Sequence, residues 1–539
     1  MERGRVDSNK FVSLSRYDSD EDMLYPIGIQ NFEKLRKGGY TYVDKTAIIH
    51  RLTTSGACYF LSRPRRFGKS LFLSTLEAYL KGRKELFEGL AISTLENTWD
   101  DSPVLHLDLS GVTYTNYKGL EEKLAYHLDM WENEYCVGTK YNAPAIRFSA
   151  LIDEIYRKTG KKVAVLIDEY DKPLIDNLLN EEMLERCRET LQGFYGVLKL
   201  MDGKIRLAFL TGVSKIGKLN VFSALNNLHD ISMDPDYSDI CGITEDELHN
   251  YFEEGVCDLA AASNMSIEEC YAKLKKMYDG YHFSEDAVGI YNPFSVLSTF
   301  RSKRFKDYWF ETGTPTLLVN VMKQTSFDIT TLSDRIFATY TMLDGNQDIS
   351  SKAVPLFFQT GYLTIKGYDP EYREYCLGFP NDEVKNGFLN FIYSDYIPAR
   401  QSEESTVTAR LARAIKSGAP GDFMTTLEAL FASTTYQVQG EAEKDFQYAM
   451  YIIMELLGEY VKAEYATSNG RIDLLIQTAD YIYIIELKVD SSPETALRQI
   501  EEKGYSKPFV SDSRKLFSIG VNFTTKTRRI ESWKIVERP

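Results

Sequence analysis

Four short runs in the first half of the chain carry almost no polar residues: ACYFL (57–61), VLHLDL (Val104–Leu109), VAVLI (Val163–Ile167) and IRLAFL (Ile205–Leu210). A strand with one wet face alternates apolar and polar side chains. Runs that do not alternate fit strands covered on both sides, as in a parallel sheet. The stretches between the runs have helical periodicity and are long enough for the crossover helices that parallel neighbours require. Residues 25–235 therefore read as an α/β domain with a doubly wound parallel sheet.

The chemistry begins where the first run ends. RPRRFGKS (Arg63–Ser70) follows it directly and leads into LFLSTLEAYL, a helical pattern. A phosphate loop needs inward-pointing amides, a lysine for the β- and γ-phosphates and a hydroxyl for Mg²⁺. Gly68, Lys69 and Ser70 supply this core, and the helix N-terminus adds partial positive charge. Arg63 stands where the usual pattern has its first glycine, and Pro64 has no amide, so the loop is tighter than usual. Arg65, Arg66 and Phe67 complete the nucleotide-binding stretch, the two arginines adding charge near the phosphates. VAVLI ends in Asp168-Glu169, which places Asp168 to hold the water shell of Mg²⁺ and Glu169 to polarise the attacking water. IRLAFL ends at Thr211, with Ser214 just beyond; one of the two is placed to sense the γ-phosphate. Lys215 and Lys218 read as solvated loop residues. Each motif alone is common; in this order and on these elements they specify binding of ATP or GTP.

These strings resemble the AAA-ATPase-like family of P-loop proteins. The resemblance rests on PIGIQNFEKLRKGGYTYVDKT, YFLSRPRRFGKSLFLSTLEAYLKG, VAVLIDEYDKPL and FLTGVSKIGKLNVFSALNNLHDISMDP, and it covers the whole domain. It implies an ATPase with Mg²⁺ as cofactor, and it makes the arginine-rich start of the loop a family trait.

A second phosphate chemistry lies near the other end. GRIDLLI (Gly470–Ile476) is followed by YIYIIELKV (Tyr481–Val489). In a strand, Glu486 and Lys488 share a face while Leu487 points away into the core. A hairpin brings Asp473 beside Glu486, so that two carboxylates and a backbone carbonyl near Leu487 can hold one hard cation. Lys488 is then placed to orient a nucleophilic water. No histidine occurs after His282, so a histidine-based nuclease site is excluded there. This pattern resembles the PD-(D/E)xK nuclease superfamily over about Tyr436–Ile535. The resemblance implies a helix glutamate at Glu443, with Asp445 as the fallback, and a glutamine on the following helix at Gln499.

Between the two lies a region, 236–430, read as a helical lid with a winged-helix-like linker. Thr244…Glu247 and Ser266…Glu269 are capping boxes that open amphipathic helices. Tyr278–Leu297 reads as a turn-rich aromatic connector that packs onto the ATPase, and VPLFFQTGYLTIKGYD with YCLGFPNDEV reads as helix, strand, turn and returning strand. Residues 431–539 form the nuclease-like domain, and 1–24 a disordered leader.

The net charge of −15 argues against coating nucleic acid by charge alone, though not against a local groove. Seven scattered cysteines without a CxxC pair exclude a zinc ribbon and fit reduced thiols in the cytoplasm. No apolar stretch is long enough to span a membrane. Nucleic acid is the expected partner, DNA ahead of RNA, with homo-oligomerisation left open. Two functions follow: an ATP-dependent nuclease in genome defence or mobile-element control, or a nucleotide-gated switch whose C-terminal domain binds nucleic acid or protein without cutting.

Overall fold

The computed structural model describes residues 23–538 apart from 218–220, 223–224, 313–314, 326, 333–335, 345–352, 397–403, 433–441, 459–461, 466–472 and 527–528. The leader up to residue 22 and Lys218 lie outside the described residues. The four apolar runs are strands β1 (Cys58–Ser62), β2 (Val104–Asp108), β3 (Val163–Asp168) and β4 (Ile205–Gly212). With a two-residue strand β5 (His229–Asp230) they make a parallel sheet in the order β2-β3-β4-β1-β5. Helices flank the sheet, and β1 and β3 are buried at every position.

Both capping boxes form, opening the helices Glu245–Ser263 and Ile267–Tyr278. The connector is only partly irregular. Ile290–Tyr291 (β7) pairs with Ile243–Thr244 (β6), and Pro293–Ser302 is a helix. Asn292 caps that helix through its side chain, and Pro293 occupies its first turn, where a missing amide costs nothing. The helix Ala353–Thr360 leads into strands β9 (Thr364–Asp369) and β10 (Glu374–Gly378), as the pattern suggested; β8 (Ile336–Thr339) adds a third antiparallel strand in the order β8-β10-β9.

The C-terminal sheet has the order β11-β12-β13-β14-β15: Lys462–Tyr465, Leu474–Gln477, Tyr481–Val489, Lys515–Thr524 and Arg529–Arg538. The last strand was not expected. The helix Glu404–Lys416, within the 236–430 region, and the helix Pro420–Ala432, which crosses its end, pack on this sheet: Tyr483 donates to the Ile415 carbonyl at 2.7 Å, and the Trp533 indole donates to Glu428 at 3.1 Å. The helix Asp382–Tyr396 packs along Ala442–Leu457, with Lys385 and Glu455 paired at 2.6 Å, and joins the middle region to the C-terminal one. No helix among the described residues is long and apolar enough to cross a membrane.

Glu383, in the first turn of Asp382–Tyr396, is fully buried and accepts hydrogen bonds from the Ser295 hydroxyl and from the Trp309 amide at 2.7 Å. Burial pushes its carboxyl up to about 8, with Asp307 and Glu311 adding to the shift. A carboxyl raised in the fold stabilises it fully below the unfolded value of 4.5, and that contribution is lost as pH rises through the folded value. Asp307, raised to about 6, acts in the same sense over the lower part of this range. The melting temperature is therefore expected to fall between pH 4.5 and about 8. Glu383→Gln should flatten that slope in thermal scans, and an unchanged slope would locate the titration elsewhere.

Candidate functional site

The sheet order brings three strand ends to one edge. β1 pairs with β4 (Leu61 with Thr211, Ser62 with Gly212), and β3 pairs with β4 (Ile167 with Leu210). The loop after β1, the Asp168-Glu169 pair and Thr211 therefore meet at one edge of the sheet; Glu169 lines the cleft there, whereas Asp168 and Thr211 are buried and do not line it. Gly68 has φ 94°, and nothing lies within 4 Å of where its Cβ would be. The left-handed backbone, rather than crowding, is what calls for glycine there.

The helix begins at Lys69. The lysine is buried, and its amine donates to the carbonyls of Arg63 at 2.9 Å and Pro64 at 3.0 Å, tying together the start of the loop. Burial pulls its pKa down, and Asp168 pulls the other way. The Ser70 hydroxyl donates to Asp168 at 2.6 Å, so the two oxygens expected from the sequence to bind Mg²⁺ are in contact. Glu169 is half-buried, and burial followed by the charge of Asp168 raises its pKa. The Thr211 hydroxyl is buried and has no hydrogen-bond partner among the described residues. Ser214 differs: its hydroxyl and amide both donate to the buried Asp171, at 2.8 and 2.6 Å. Of the two sensor candidates, Thr211 is thus the one with an uncommitted hydroxyl.

A cleft of about 380 Å³ opens over this edge, lined by Arg65, Arg66, Gly68, Lys69, Ser70 and Glu169 and roofed by Phe294 and the segment 26–30. Phe67 does not line it; its ring is buried against Tyr281 and Phe283. Arg63 is also buried, donating to the carbonyls of Ser62, Ser232 and Tyr237, which explains why arginine can replace glycine at that position. Lys215 is not solvated. It is 2 % exposed and paired with Asp230 at 2.7 Å and Asp344 at 2.8 Å, while its amide donates to Gln359. The two carboxylates outweigh burial and hold its pKa above the usual value. Sequence reasoning missed Asp171, although the DEYD spacing after β3 places it one turn beyond Asp168.

At the other end, β12 and β13 pair antiparallel with Leu474 opposite Ile485, a register that sets Asp473 opposite Glu486. Ile482 and Ile484 pack with Leu497 and Ile500 of the helix Pro493–Lys503, and Glu486 and Lys488 continue that face. Leu487 turns to the other face, where it is half-buried against the main core. Glu486 is fully buried; Lys488 donates to its Oε1 at 3.0 Å, and the Gln499 amide donates to the same atom. Among the described residues, Glu486 Oε2 has no hydrogen-bond partner. Asp473 accepts from the Leu487 amide at 2.8 Å. Burial raises the pKa of both carboxyls, and Asp473 raises that of Glu486 further. Among the described residues no third acidic, histidine or cysteine side chain joins them. Glu443 lies in the first turn of Ala442–Leu457, but its side chain and that of Asp445 lie outside the described residues.

Residues 26–222 match the family described as predicted AAA-ATPase, and residues 441–533 match the PD-(D/E)XK nuclease superfamily. The uncharacterized protein in the vnfD 5′ region of Azotobacter chroococcum mcd 1 is 37% identical over 523 residues, spanning 94% of this chain and 97% of that protein. The chain belongs to the AAA-ATPase-like family, with a C-terminal PD-(D/E)XK nuclease superfamily domain. In this AAA-ATPase-like protein the loop, Asp168, Glu169 and Thr211 all fall in the first match, and Glu443, Asp473, Glu486, Lys488 and Gln499 in the second.

Glu169→Gln keeps the shape of the side chain and removes its basicity. The variant is expected to bind ATP with near-normal affinity and hydrolyse it about 10²-fold more slowly. Equal turnover in a phosphate-release assay would place the base elsewhere.

Proposed function

We propose that this protein hydrolyses ATP with Mg²⁺ at the cleft after β1 and cleaves phosphodiester bonds of nucleic acid with Mg²⁺ at the β12–β13 hairpin. The observation that carries the reading is Glu486: a fully buried carboxylate, one oxygen of which has no partner among the described residues, facing Asp473 and flanked by a lysine and an amide. A buried carboxylate oxygen left without a donor is costly unless something positive completes it. Asp473 and Glu486 fit a hard cation by their chemistry. Such an ion supplies Lewis-acid polarisation of a phosphate oxygen and of a water.

The chain's own groups do the rest. The Leu487 amide fixes the Asp473 carboxylate, Gln499 fixes that of Glu486, and the Lys488 amine is held where it can orient a water and give up a proton. At the first site, Lys69 holds the phosphates, Ser70 and Asp168 would hold the Mg²⁺, Glu169 takes the proton of the attacking water, and Thr211 offers its hydroxyl to the γ-phosphate. The pairing of the two domains supports a place in genome defence or mobile-element control.

The test is a panel of labelled single- and double-stranded DNA and RNA, incubated with Mg²⁺ with and without ATP. Cleavage that requires the metal supports the enzyme. Binding without cleavage, at a metal-saturated site, would favour the nucleotide-gated switch.

A further inference from the structure

The phosphate loop lacks the glycine and the amide that usually let such a loop hold its own shape. Its residues are instead held from outside, by rings of the segment 281–309. The Arg63 guanidinium lies 4.0 Å from the Phe283 centroid, Arg66 lies 5.2 Å from Phe294, and Phe67 packs on Tyr281 at 4.8 Å. The fourth contact differs in kind. Arg65 lies 5.0 Å from the centroid of Trp309, and the indole N–H of the same residue donates to the Arg65 carbonyl at 3.1 Å. Trp309 therefore holds both the side chain and the backbone of one loop residue, and that residue lines the nucleotide cleft.

Trp309 is itself immobilised. It is fully buried, its amide is bound by Glu383 at 2.7 Å, and Tyr362 packs edge-on against its ring at 5.1 Å. Burial alone obliges the Trp309 amide and indole N–H to find acceptors; what is specific here is that the indole's acceptor is the carbonyl of Arg65, the residue whose guanidinium faces the same ring. We infer that Trp309 is a positioning residue for ATP binding, setting the Arg65 backbone and guanidinium beside the phosphates. The inference rests on the proposed ATP site.

Three variants test it in the full-length protein, with Mg²⁺-ATP affinity read by calorimetry and KM and kcat by phosphate release. Trp309→Phe keeps a ring for the guanidinium but loses the N–H donor; Trp309→Leu loses both. Losing the cation–ring contact and one hydrogen bond should weaken Mg²⁺-ATP binding about tenfold in Trp309→Leu, with an intermediate loss in Trp309→Phe. Arg65→Ala should weaken binding by itself yet add little to Trp309→Leu, because the two act through one contact.

Weakened binding in that graded order, with non-additive Arg65 and Trp309 effects, supports the assignment. Wild-type affinity in Trp309→Phe, or additive losses in the double variant, overturns it, since a purely structural tryptophan would change only the melting temperature. Should Trp309→Leu fail to fold, Trp309→Phe alone decides by the same affinity criterion. Absence of ATP binding by the wild type would instead bring down the proposed ATP site, and this inference with it.

Discussion

Lys69→Ala is expected to lower ATP turnover about 10²–10³-fold, because one charge-assisted phosphate contact stabilising the transition state is worth about 3–4 kcal/mol. The fold should survive, since the helix that begins at residue 69 is held by the buried Phe72, Leu73 and Leu76. The variant also frees the carbonyls of Arg63 and Pro64 that the lysine ties together, so part of the loss should appear in ATP affinity as well as in turnover. Unchanged binding and hydrolysis, with a normal melting curve, would remove the phosphate-loop assignment.

Glu486→Ala is expected to abolish cleavage, by about 10³-fold or more if a metal contributes several kcal/mol there, while ATP hydrolysis continues. Asp473→Ala should do the same, and the double variant should be no worse than either single one, because two ligands of one ion fail together. Lys488→Ala separates the roles: it should lose cleavage yet still bind Mn²⁺ in calorimetry. Cleavage that persists in Glu486→Ala would mean that the cutting site lies elsewhere in the chain.

Much of this was legible before any coordinates. β1 to β4 stand out because burial on two faces leaves no alternation to confuse with a helix, and Gly68-Lys69-Ser70 with Asp168-Glu169 needs only local order. Asp473 and Glu486 are separated by one hairpin, so strand periodicity alone could bring them together. β5 escaped because two residues, one of them an exposed histidine, carry no pattern. The helix Pro293–Ser302 escaped although its Asn-Pro start was in view, because the surrounding aromatics read as a connector. Lys215 escaped for a different reason. Its partners Asp230 and Asp344 come from another strand and another region of the chain, and no local rule predicts that a loop lysine will be buried between them. Trp309 and Arg65 are likewise joined only by the tertiary fold.

The burial of Lys215 bears on how such a protein can be divided or recombined. A fragment ending at residue 235 would keep the loop at Arg63–Ser70 together with Asp168 and Glu169. It would lose Asp344 and Gln359, and also the rings of Tyr281, Phe283, Phe294 and Trp309 that clasp the loop. Lys215 would keep Asp230 but lose its second carboxylate, and the loop would lose the packing that holds it. The first domain is therefore best moved together with the middle region, and an exchange of the C-terminal domain has to preserve the seam between Asp382–Tyr396 and Ala442–Leu457 with its Lys385–Glu455 pair.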